Sequence, residues 1–520
     1  MKIMRPTQIF RIWVLTLVLL TAAGAQAAGP WYVATNGADS VNDGLSWSQP
    51  FASISNAVAN AGAVVNETIW VSNGTYTITA TVTNPTAKAC KIRGWSTNSA
   101  DTILLGPGSN DVSKSFRGIV MSGAGSLLQG LTVTNFYYSN EYYCAGVYCS
   151  VGLISNCVIA GNILGYHVGG ASITASGAGV YLTSAGLIEN CDIIGNKIIT
   201  GSSYDGGGGG IYVNNGTIRN SRIIGNRSDP KGGGVYLNNA TVQDSIIASN
   251  YAYQGGGFYA IGGVISNCQV LTNRCISGGG GIEAPAAASS ISIMQCNING
   301  NVGSWSVGGI QVKNTVNVLI SQCVIVSNYC DKTGVGGLWV GGVCANVLIR
   351  NCLVANNLAR FESAGWGGYG GAGMNVAATN ALIENCTIVS NTLINADIPG
   401  KGAGLYATNG VRVVNSIIYH NVGVTTSNVY ATAGCTFSNS CTAPLSAVVG
   451  TANTDANPRF VAKDTGNFRL NNNSPCINTG MNYEWMTGAV DLEGRKRIRY
   501  GTVDMGAYER IHSGTTYGFR

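Results

Sequence analysis

The chain has 520 residues, of which 73 are glycine, and 45% of its residues are hydrophobic while only 10% are charged. This composition excludes a disordered polar chain, because so many apolar residues must be buried in a core. The glycines follow no three-residue period, which excludes collagen. The formal net charge of +6 is spread without a dense run of Lys and Arg, so nucleic acid is not an expected partner.

The N-terminus has the pattern of an export leader. Lys2 and Arg5 precede an apolar stretch over residues 12–23, and Ala25-Gln26-Ala27 then matches the small-x-small pattern that signal peptidase cuts. An uncleaved membrane anchor is the alternative, but about 12 apolar residues are too few to cross a bilayer of about 30 Å as a helix. We predict a signal peptide over residues 1–27 and an exported mature chain without a transmembrane segment, located outside the cell, on its surface or in the periplasm.

One unit of sequence is repeated along most of the remaining chain. Each copy carries a Gly run, a short apolar segment and a closing Asn, as in GGGIYVNNGTIRNSRIIGN, which ends at Asn226. The closing asparagines recur about every 29 residues, at Asn135, Asn162, Asn196, Asn226, Asn250, Asn273, Asn301, Asn328, Asn357, Asn391 and Asn421. Apolar residues alternate with polar ones inside each unit, which predicts strands rather than helices. Short strands, Gly- and Asn-rich turns and insertions of variable length are typical of a parallel β-helix.

The predicted fold class is therefore all-β, as a right-handed parallel β-helix, a pectate-lyase-like solenoid of at least eleven coils over residues 69–430. The handedness follows the usual preference of parallel crossovers. Because an open β edge templates aggregation, we expect both ends to be covered. We assign residues 28–68 to an N-terminal cap with a helical segment at about residues 53–61, and residues 431–520 to a small C-terminal capping region.

Equivalent residues of successive coils form columns, because coils of a β-helix lie about 4.8 Å apart. The position five before the closing Asn is always Cys or Ser, at Cys157, Cys191, Ser221, Ser245, Cys268, Cys296, Cys323, Cys352, Cys386 and Ser416. We interpret these as small buried plugs, since parallel stacked side chains suit disulfide geometry poorly. One residue earlier lie Asn156, Asn190, Asn220, Asp244, Asn267, Gln295, Gln322, Asn351, Asn385 and Asn415. These predict a ladder of amides that occupy left-handed turns and bond from coil to coil.

A third column follows the Gly run and begins with five tyrosines. Its members are Tyr148, Tyr181, Tyr212, Tyr236, Tyr259, Glu283, Gln311, Trp339, Asn375 and Tyr406. Their apolar neighbours must face inward, so this column faces outward. An exposed aromatic strip suits stacking on sugar rings. The alternative, that the strip only stabilises the sheet by stacking from coil to coil, stays open.

Among the cysteines outside the column, Cys435 and Cys441, which bracket TFSNS, are the best candidates for a disulfide. A zinc site is not expected, because the chain has no C-x-x-C and only three histidines. Asp39, Asn42 and Asp43 in the N-terminal turn are candidate oxygen ligands for Ca²⁺, although such residues are also ordinary in turns.

Catalytic candidates are few. A lyase or glycosidase needs carboxylates that converge in space. The repeat region offers Glu283, Asp205, Asp229 and Lys231 as candidates, although charged residues in solvated turns are the common case. Motifs for acyl transfer, zinc proteolysis and nucleotide chemistry are missing from the sequence.

The C-terminal region carries five segments in a recognisable order: NPRFV at 457–461, FRL at 468–470, SPCINTG at 474–480, DLEGR at 491–495 and VDMGAYE at 503–509. It resembles the choice-of-anchor Q region that closes many exported bacterial β-helix proteins, and NDGLSW at 42–47 resembles the start of the same proteins. The coils also resemble chlamydial polymorphic outer-membrane repeats, with Ile193 and Asn196 at the places of that family's Phe and Asn. The resemblance implies an exported β-helix protein but supplies no reaction. No apolar anchor follows Glu509, so it does not imply surface attachment.

The sequence therefore predicts a non-catalytic binding or adhesion protein, acting as a monomer, that takes a polysaccharide or cell-surface glycan on its aromatic strip. Two alternatives remain open. One is a polysaccharide lyase or glycoside hydrolase of the pectate-lyase-like class, and the other is a passive structural coat.

Overall fold

The computed structural model describes residues 29–61, 66–84, 89–108, 114–139, 143–165, 175–199, 206–286, 288, 290–360, 370–394, 402–423 and 428–510. The predicted signal peptide and Asp205 lie outside the described residues. Within the described ranges, no helix is long and apolar enough to cross a membrane.

Each coil contributes short strands in turn to four parallel sheets, which we number 1 to 4 in the order in which a full coil passes through them. Sheet 1 contains Val82–Asn84, Ile119–Met121, Val147–Cys149, Val180–Leu182, Ile211–Asn214, Val235–Asn238, Phe258–Ala260, Ile282–Ala284, Ile310–Lys313, Leu338–Gly341, Met374–Val376, Leu405–Ala407 and Val429–Ala431. Sheet 2 contains Trp31–Val33, Thr68–Val71, Lys91–Gly94, Leu127–Gln129, Leu153–Ser155, Leu187–Glu189, Thr217–Arg219, Ala240–Gln243, Gly263–Ser266, Ser290–Met294, Asn317–Ser321, Val347–Arg350, Leu382–Glu384, Arg412–Val414, Thr436–Ser438 and Gly450–Thr451. Sheet 3 contains Gly74–Thr77, Thr102–Leu105, Thr132–Thr134, Val158–Ala160, Asp192–Ile194, Arg222–Ile224, Ile246–Ala248, Gln269–Leu271, Asn297–Asn299, Val324–Val326, Leu353–Ala355, Thr387–Val389, Ile417–Tyr419 and Cys441–Thr442. Sheet 4 contains Tyr137–Tyr138, Ile163–Leu164, Lys197–Ile198, Arg227–Lys231, Tyr251–Gln254, Arg274–Ser277, Val302–Gly303, Tyr329–Cys330, Leu358–Arg360 and Thr392–Ile394.

The remaining elements lie at the ends and in one insertion. Ala175–Ser176 pairs in parallel with Gly206–Gly207, and Phe460–Ala462 pairs antiparallel with Asn467–Leu470. One α-helix spans Ile54–Asn60, and short 3₁₀ turns span Ser99–Asp101, Leu445–Ala447, Lys463–Thr465 and Glu484–Met486. The fold is a right-handed parallel β-helix, which confirms the predicted fold class.

Alternation along each strand sends one side chain into the solenoid and the next outward. Ile188 is fully buried, for example, whereas its neighbour Glu189 lies on the outer face. The Gly runs before sheet 1 have a steric cause. A Cβ on Gly210 would lie 2.7 Å from the Gly234 carbonyl oxygen and 3.0 Å from the Asn226 amide. Because both contacts are too close for a side chain, this position requires glycine.

A buried amide ladder joins the coils, but it is formed by the closing asparagines rather than by the predicted column. The Oδ1 atom of Asn226 accepts from the Asn196 backbone N–H at 2.9 Å, and its Nδ2 donates to the Ile193 carbonyl at 2.8 Å. The same pattern runs from Asn162 to Asn421. The predicted column does occupy left-handed turns, with Asn190 at φ 53°. It bonds from coil to coil in places, where Asn267 donates to Asp244 at 2.6 Å and Asn415 donates to Asn385 at 3.5 Å, whereas its first members project outward.

The Cys and Ser column is buried at every position, as predicted for plugs. All sixteen cysteines are free thiols, including Cys435 and Cys441, so the predicted disulfide is not formed. The reason is that the two side chains lie on opposite faces of the wall. Cys435 belongs to the interior core, whereas Cys441 packs outside it with Cys476, Ile417, Leu470 and Met505.

The stack of coils extends beyond residues 69–430 at both ends. Trp31–Val33 pairs directly with the second strand of sheet 2, and Gly450–Thr451 forms its last strand. The predicted N-terminal helix is present as Ile54–Asn60. Ser53 begins it by accepting a hydrogen bond from the Asn56 N–H at 3.1 Å, and Ile54, Ala57 and Val58 are buried.

The C-terminal region lies against the side of the solenoid rather than across its end. Phe468 packs on Leu353, Ala355 and Val389, which are outward residues of sheet 3. The region also takes hydrogen bonds from the outward asparagines of several coils, as described below. Residues 455–510, which we call the C-terminal clamp, therefore lie along the side of the last coils and are not simply the terminal cap that the sequence suggested.

Candidate functional site

The tyrosine column faces outward, as predicted, but its rings stack on one another. The ring centroids of Tyr181 and Tyr212 are 4.8 Å apart with planes 6° from parallel, and Tyr212 and Tyr236 are 4.9 Å apart at 21°. Tyr148 and Tyr259 extend the stack at 5.4 Å and 5.2 Å from their neighbours. Because the rings repeat with the coils, their faces point along the solenoid axis at each other. The first four rings therefore present their edges and hydroxyl groups to solvent, not the flat platform that the sequence suggested. Tyr259 is buried, at 8% exposure, so it is not available as a predicted ligand-binding residue.

Two later members of this column, Glu283 and Trp339, are covered by residues that adjoin the Gly runs. Trp339 is only 6% exposed because Val307 and Val335 pack on it, so it is not available as the predicted ligand-binding residue. Glu283 is 3% exposed, and its Oε2 atom accepts from the Gly279 N–H at 2.5 Å. Burial raises the pKa of Glu283 to about 8, against the opposing effects of that hydrogen bond and of Lys313.

The three catalytic candidates that the structure describes, Asp229, Lys231 and Glu283, each have separate contacts. Asp229 pairs with Arg227 at 3.0 Å, and Lys231 lies 5.5 Å from the Tyr259 ring centroid. Glu283 is enclosed beneath the turn at Gly279. Among the described residues, no group of three or more His, Cys, Asp or Glu side chains is placed to hold a metal ion.

The three candidate calcium ligands fix the N-terminal turn. Asp39 accepts from the backbone N–H groups of Ala52 and Ser53 at 2.8 and 3.0 Å, which ties the turn to the start of the helix. Asn42 donates to the Pro50 carbonyl, and Asp43 accepts from the Leu45 N–H. These bonds give all three side chains the structural role of turn residues.

A groove of about 620 Å³ lies on the outer face of sheet 4. Four successive coils line it with Tyr251, Arg274, Ile276, Ser304, Trp305, Asp331 and Lys332. The indole of Trp305 is half exposed, at 49%. Two hydrogen bonds fix the backbone of Trp305. The Trp305 N–H donates to the Ile276 carbonyl at 2.9 Å, and the Thr333 hydroxyl donates to the Trp305 carbonyl at 3.0 Å.

Cations and aromatic rings alternate in this groove. Lys332 Nζ lies 4.3 Å from the Trp305 ring centroid, and Arg227 lies 5.2 Å from that of Tyr251. The Tyr329 hydroxyl donates a hydrogen bond to Asp331 Oδ1 at 2.6 Å. Burial and the nearby Asp331 carboxylate both raise the pKa of Tyr329. Within the described ranges, no carboxylate forms an ion pair with Arg274. The groove therefore combines a fixed, half-exposed indole with positive charge.

Sequence reasoning missed this groove, although part of its signal was present. The residue directly after each closing Asn faces outward on sheet 4, and these residues include Lys197, Arg227, Tyr251, Arg274 and Tyr329. A basic and aromatic column was therefore readable from the repeat. Trp305 lies in an insertion of variable length, so its position could not be derived from the repeat.

Comparison with known families finds a match to the family described as right-handed beta helix region over residues 209–369. Among solved structures, the chain is similar to pectate lyase Pel9A, with 16% identity, 92% of this chain and 96% of that chain covered, and a TM-score of 0.31. It is also similar to PfbA, a surface adhesin of Streptococcus pneumoniae, with 12% identity, coverage of 75% and 89%, and a TM-score of 0.22. A rhamnogalacturonan lyase shows 13% identity, coverage of 83% and 90%, and a TM-score of 0.20. The comparison with curated proteins gave no match. At these identities and TM-scores, none of the similarities assigns a function.

Proposed function

We propose that this protein is an exported, non-catalytic polysaccharide-binding protein whose main site is the groove on sheet 4, and that its ligand carries carboxylates. The observation that carries the proposal is the half-exposed indole of Trp305 in one groove with Arg274 and Lys332. The apolar face of a sugar ring stacks on the face of the Trp305 indole opposite Lys332. A guanidinium or ammonium group then selects a uronate carboxylate by a charge-assisted hydrogen bond.

The tyrosine column extends this surface in a different way from the one its sequence suggested. Its ring faces are occupied by neighbouring rings, so a glycan lying along it meets hydroxyl groups and ring edges. Such contacts give hydrogen bonds at each coil without face-on stacking. We assign the partly exposed rings from Tyr148 to Tyr236 a supporting part in binding, and all five tyrosines a larger part in holding the coils together.

The lyase or hydrolase alternative finds no support in Glu283 and Asp229, the two candidate acids that the structure describes. Glu283 is enclosed and Asp229 is paired with Arg227, so neither is presented to a substrate on the outer face. The binding proposal and the catalytic alternative predict different products, and one experiment therefore tests both.

The experiment uses the chain from residue 28 onward with hexagalacturonate as the probe. We expect binding by titration calorimetry that weakens with added salt, because charge attraction contributes. Trp305→Ala and Arg274→Gln should each weaken binding by roughly tenfold, whereas Tyr500→Ala, which removes an exposed aromatic ring of the C-terminal region, serves as the control. Equal affinities for all four proteins would refute the groove. Formation of unsaturated uronate or of new reducing ends would refute the non-catalytic assignment.

A further inference from the structure

A second groove, of about 450 Å³, follows the corner between sheets 2 and 3 in the N-terminal half of the solenoid. Its lining includes the outward amides of Asn156, Asn190 and Asn220 from three successive coils. The loop over residues 97–99 borders the same groove, and so do Asp192 and Arg222. This corner is separate from the groove on sheet 4 and plays no part in the function proposed above.

The three asparagines are presented to solvent by their backbone conformation. Their φ angles are 51°, 53° and 49°, in the left-handed region, and all three residues are exposed. Asn156 donates to the neighbouring Ser155 hydroxyl at 3.1 Å. The amides of Asn190 and Asn220 make no side-chain hydrogen bond with any described residue. Each amide has two N–H donors and one oxygen acceptor. Equivalent amides recur about every 4.8 Å along the solenoid, once per coil.

Further along the same column, identical side chains already bind backbone groups, each from a different segment of the C-terminal region. Asn415 accepts from the Met481 N–H and donates to the Met481 carbonyl, both at 2.8 Å. Asn385 donates to the Asp504 carbonyl at 3.4 Å, and Asn351 donates to the Val490 carbonyl at 3.3 Å. The C-terminal clamp thus covers the last part of the column. The part from Asn156 to Asn220 has the same chemistry and is uncovered.

An exposed aromatic cluster leads, along the chain, into the loop that borders this groove. Trp95 is 56% exposed and lies two residues before the bordering loop. Edge-to-face contacts with Trp47, at 5.0 Å and 78°, and with Trp70, at 5.5 Å and 83°, hold its indole in place. A fixed indole next to a row of amides is a combination that suits a sugar chain, since one ring stacks while the next rings present hydroxyl groups.

The charges at this corner are compensated. Arg222 pairs with Asp192 at 3.2 Å, and Arg219 pairs with Glu189 at 2.6 Å. An uncharged ligand therefore fits better than an acidic one.

The backbone groups on Asn351, Asn385 and Asn415 come from separate segments, so no continuous peptide follows the column. An extended peptide advances about 3.3 Å per residue, out of step with amides about 4.8 Å apart. One pyranose unit of an extended glycan is similar in length to the coil spacing.

We propose that the corner groove is a second polysaccharide site, which takes a neutral glycan with one sugar on Trp95 and successive hydroxyl groups on Asn190 and Asn220. The chain then carries two sites of different selectivity on different faces. A polysaccharide with both neutral and acidic segments gains affinity by engaging both sites.

The test titrates the chain from residue 28 onward with cellohexaose, xylohexaose and mannohexaose. We expect at least one of them to bind, and Asn190→Gly/Asn220→Gly to weaken that binding by roughly tenfold or more. Glycine keeps the left-handed turns without strain, so the fold is retained. Trp95→Ala should have a similar effect. The matched control is Asn215→Gly/Asn239→Gly, which changes two exposed left-handed asparagines on a different turn, between sheets 1 and 2, and should leave affinity unchanged.

Three results would overturn the assignment: no binding of any neutral hexasaccharide, unchanged affinity in both groove variants, or binding of the peptide VDMGAYE in place of the sugars. Trp305→Ala separates the two proposals, because it should weaken hexagalacturonate binding while leaving the neutral hexasaccharide bound. If the parent protein binds a neutral hexasaccharide but not hexagalacturonate, the sheet 4 groove is refuted and the corner groove stands.

Discussion

The guanidinium of Arg350 lies 3.7 Å from the ring centroid of Trp485. Arg350 also donates to Glu384 Oε1 at 2.6 Å, and the Trp485 indole N–H donates to Glu384 Oε2 at 3.1 Å. Arg350 and Glu384 are paired residues on successive strands of sheet 2. Two neighbouring coils therefore provide an ion pair that recognises one tryptophan of the C-terminal clamp.

We expect Trp485→Ala to loosen the clamp without unfolding the solenoid. The substitution removes the cation–π contact and leaves a buried Glu384 oxygen without its donor, a loss of about 1–3 kcal/mol. Limited proteolysis should then cut within residues 455–510 at lower protease concentration. Trp305→Ala, which removes an exposed indole elsewhere, is the control. Equal resistance of both variants would contradict a docking role for Trp485.

The tyrosine stack makes a prediction about stability. Tyr212→Ser/Tyr236→Ser removes three ring contacts, and we expect the free energy of unfolding to fall by about 1–3 kcal/mol. Tyr212→Phe/Tyr236→Phe keeps the stacking and should unfold at nearly the parental urea concentration. If the two double variants are equally stable, the rings do not hold the coils together.

Much of the fold could be predicted from the sequence because a solenoid repeats its local rules. The alternation around Ile188 and the Cys and Ser column were sufficient to place the interior. The two Asn columns were harder to distinguish. Both carry amides, and only the three-dimensional path shows that Asn226 points inward to bond adjacent coils while Asn220 points outward.

The candidate sites were predicted less well, because they depend on what covers each outward column. Trp339 belongs to the same column as Tyr212, yet Val307 and Val335 bury it. Those valines occupy a position of the repeat, three residues before the sheet 1 strand, that is glycine in earlier coils, and the repeat alone does not show that they cover the outward column. The position of the C-terminal clamp was equally inaccessible, since its contacts, such as that of Asn415 with Met481, join residues far apart in sequence.

Thiol chemistry tests the cysteine assignment. All sixteen cysteines are buried free thiols, so the denatured, unreduced protein should yield sixteen reactive thiols, and reductant should leave the melting temperature unchanged. Burial raises the pKa of Cys149 to about 12, so this thiol should react very slowly in the folded protein. Oxidation of most of the column cysteines in freshly purified protein would contradict the plug assignment.

The buried amide ladder makes a sharper prediction at Asn226. In Asn226→Asp the shape is kept, but an oxygen replaces the Nδ2 group that donates to the Ile193 carbonyl and to Asn250 Oδ1. We expect a loss of at least about 3 kcal/mol, because acceptors then face one another in a dry interior. Asn215→Asp, at an exposed turn, should change stability little. Similar urea midpoints for both variants would show that the ladder is not a major source of stability.

The last prediction concerns pH and Glu283. Burial raises the pKa of its carboxyl to about 8 in the folded protein, against about 4.3 for an unfolded glutamate. Between about pH 4.3 and about pH 8, the two pKa values, the folded state binds more protons than the unfolded state. The free energy of unfolding is therefore highest at about pH 4.3 and falls as the pH rises toward about 8. Glu283→Gln cannot ionise and should lack this dependence, which amounts to at most about 1.4 kcal/mol per pH unit. Because the amide oxygen of the substituted side chain would also accept from the Gly279 N–H, the variant should match the parent near pH 4.5 and exceed it near pH 8. Urea unfolding of both proteins across this range measures the difference, and parallel stability curves would mean that Glu283 ionises at its ordinary pKa.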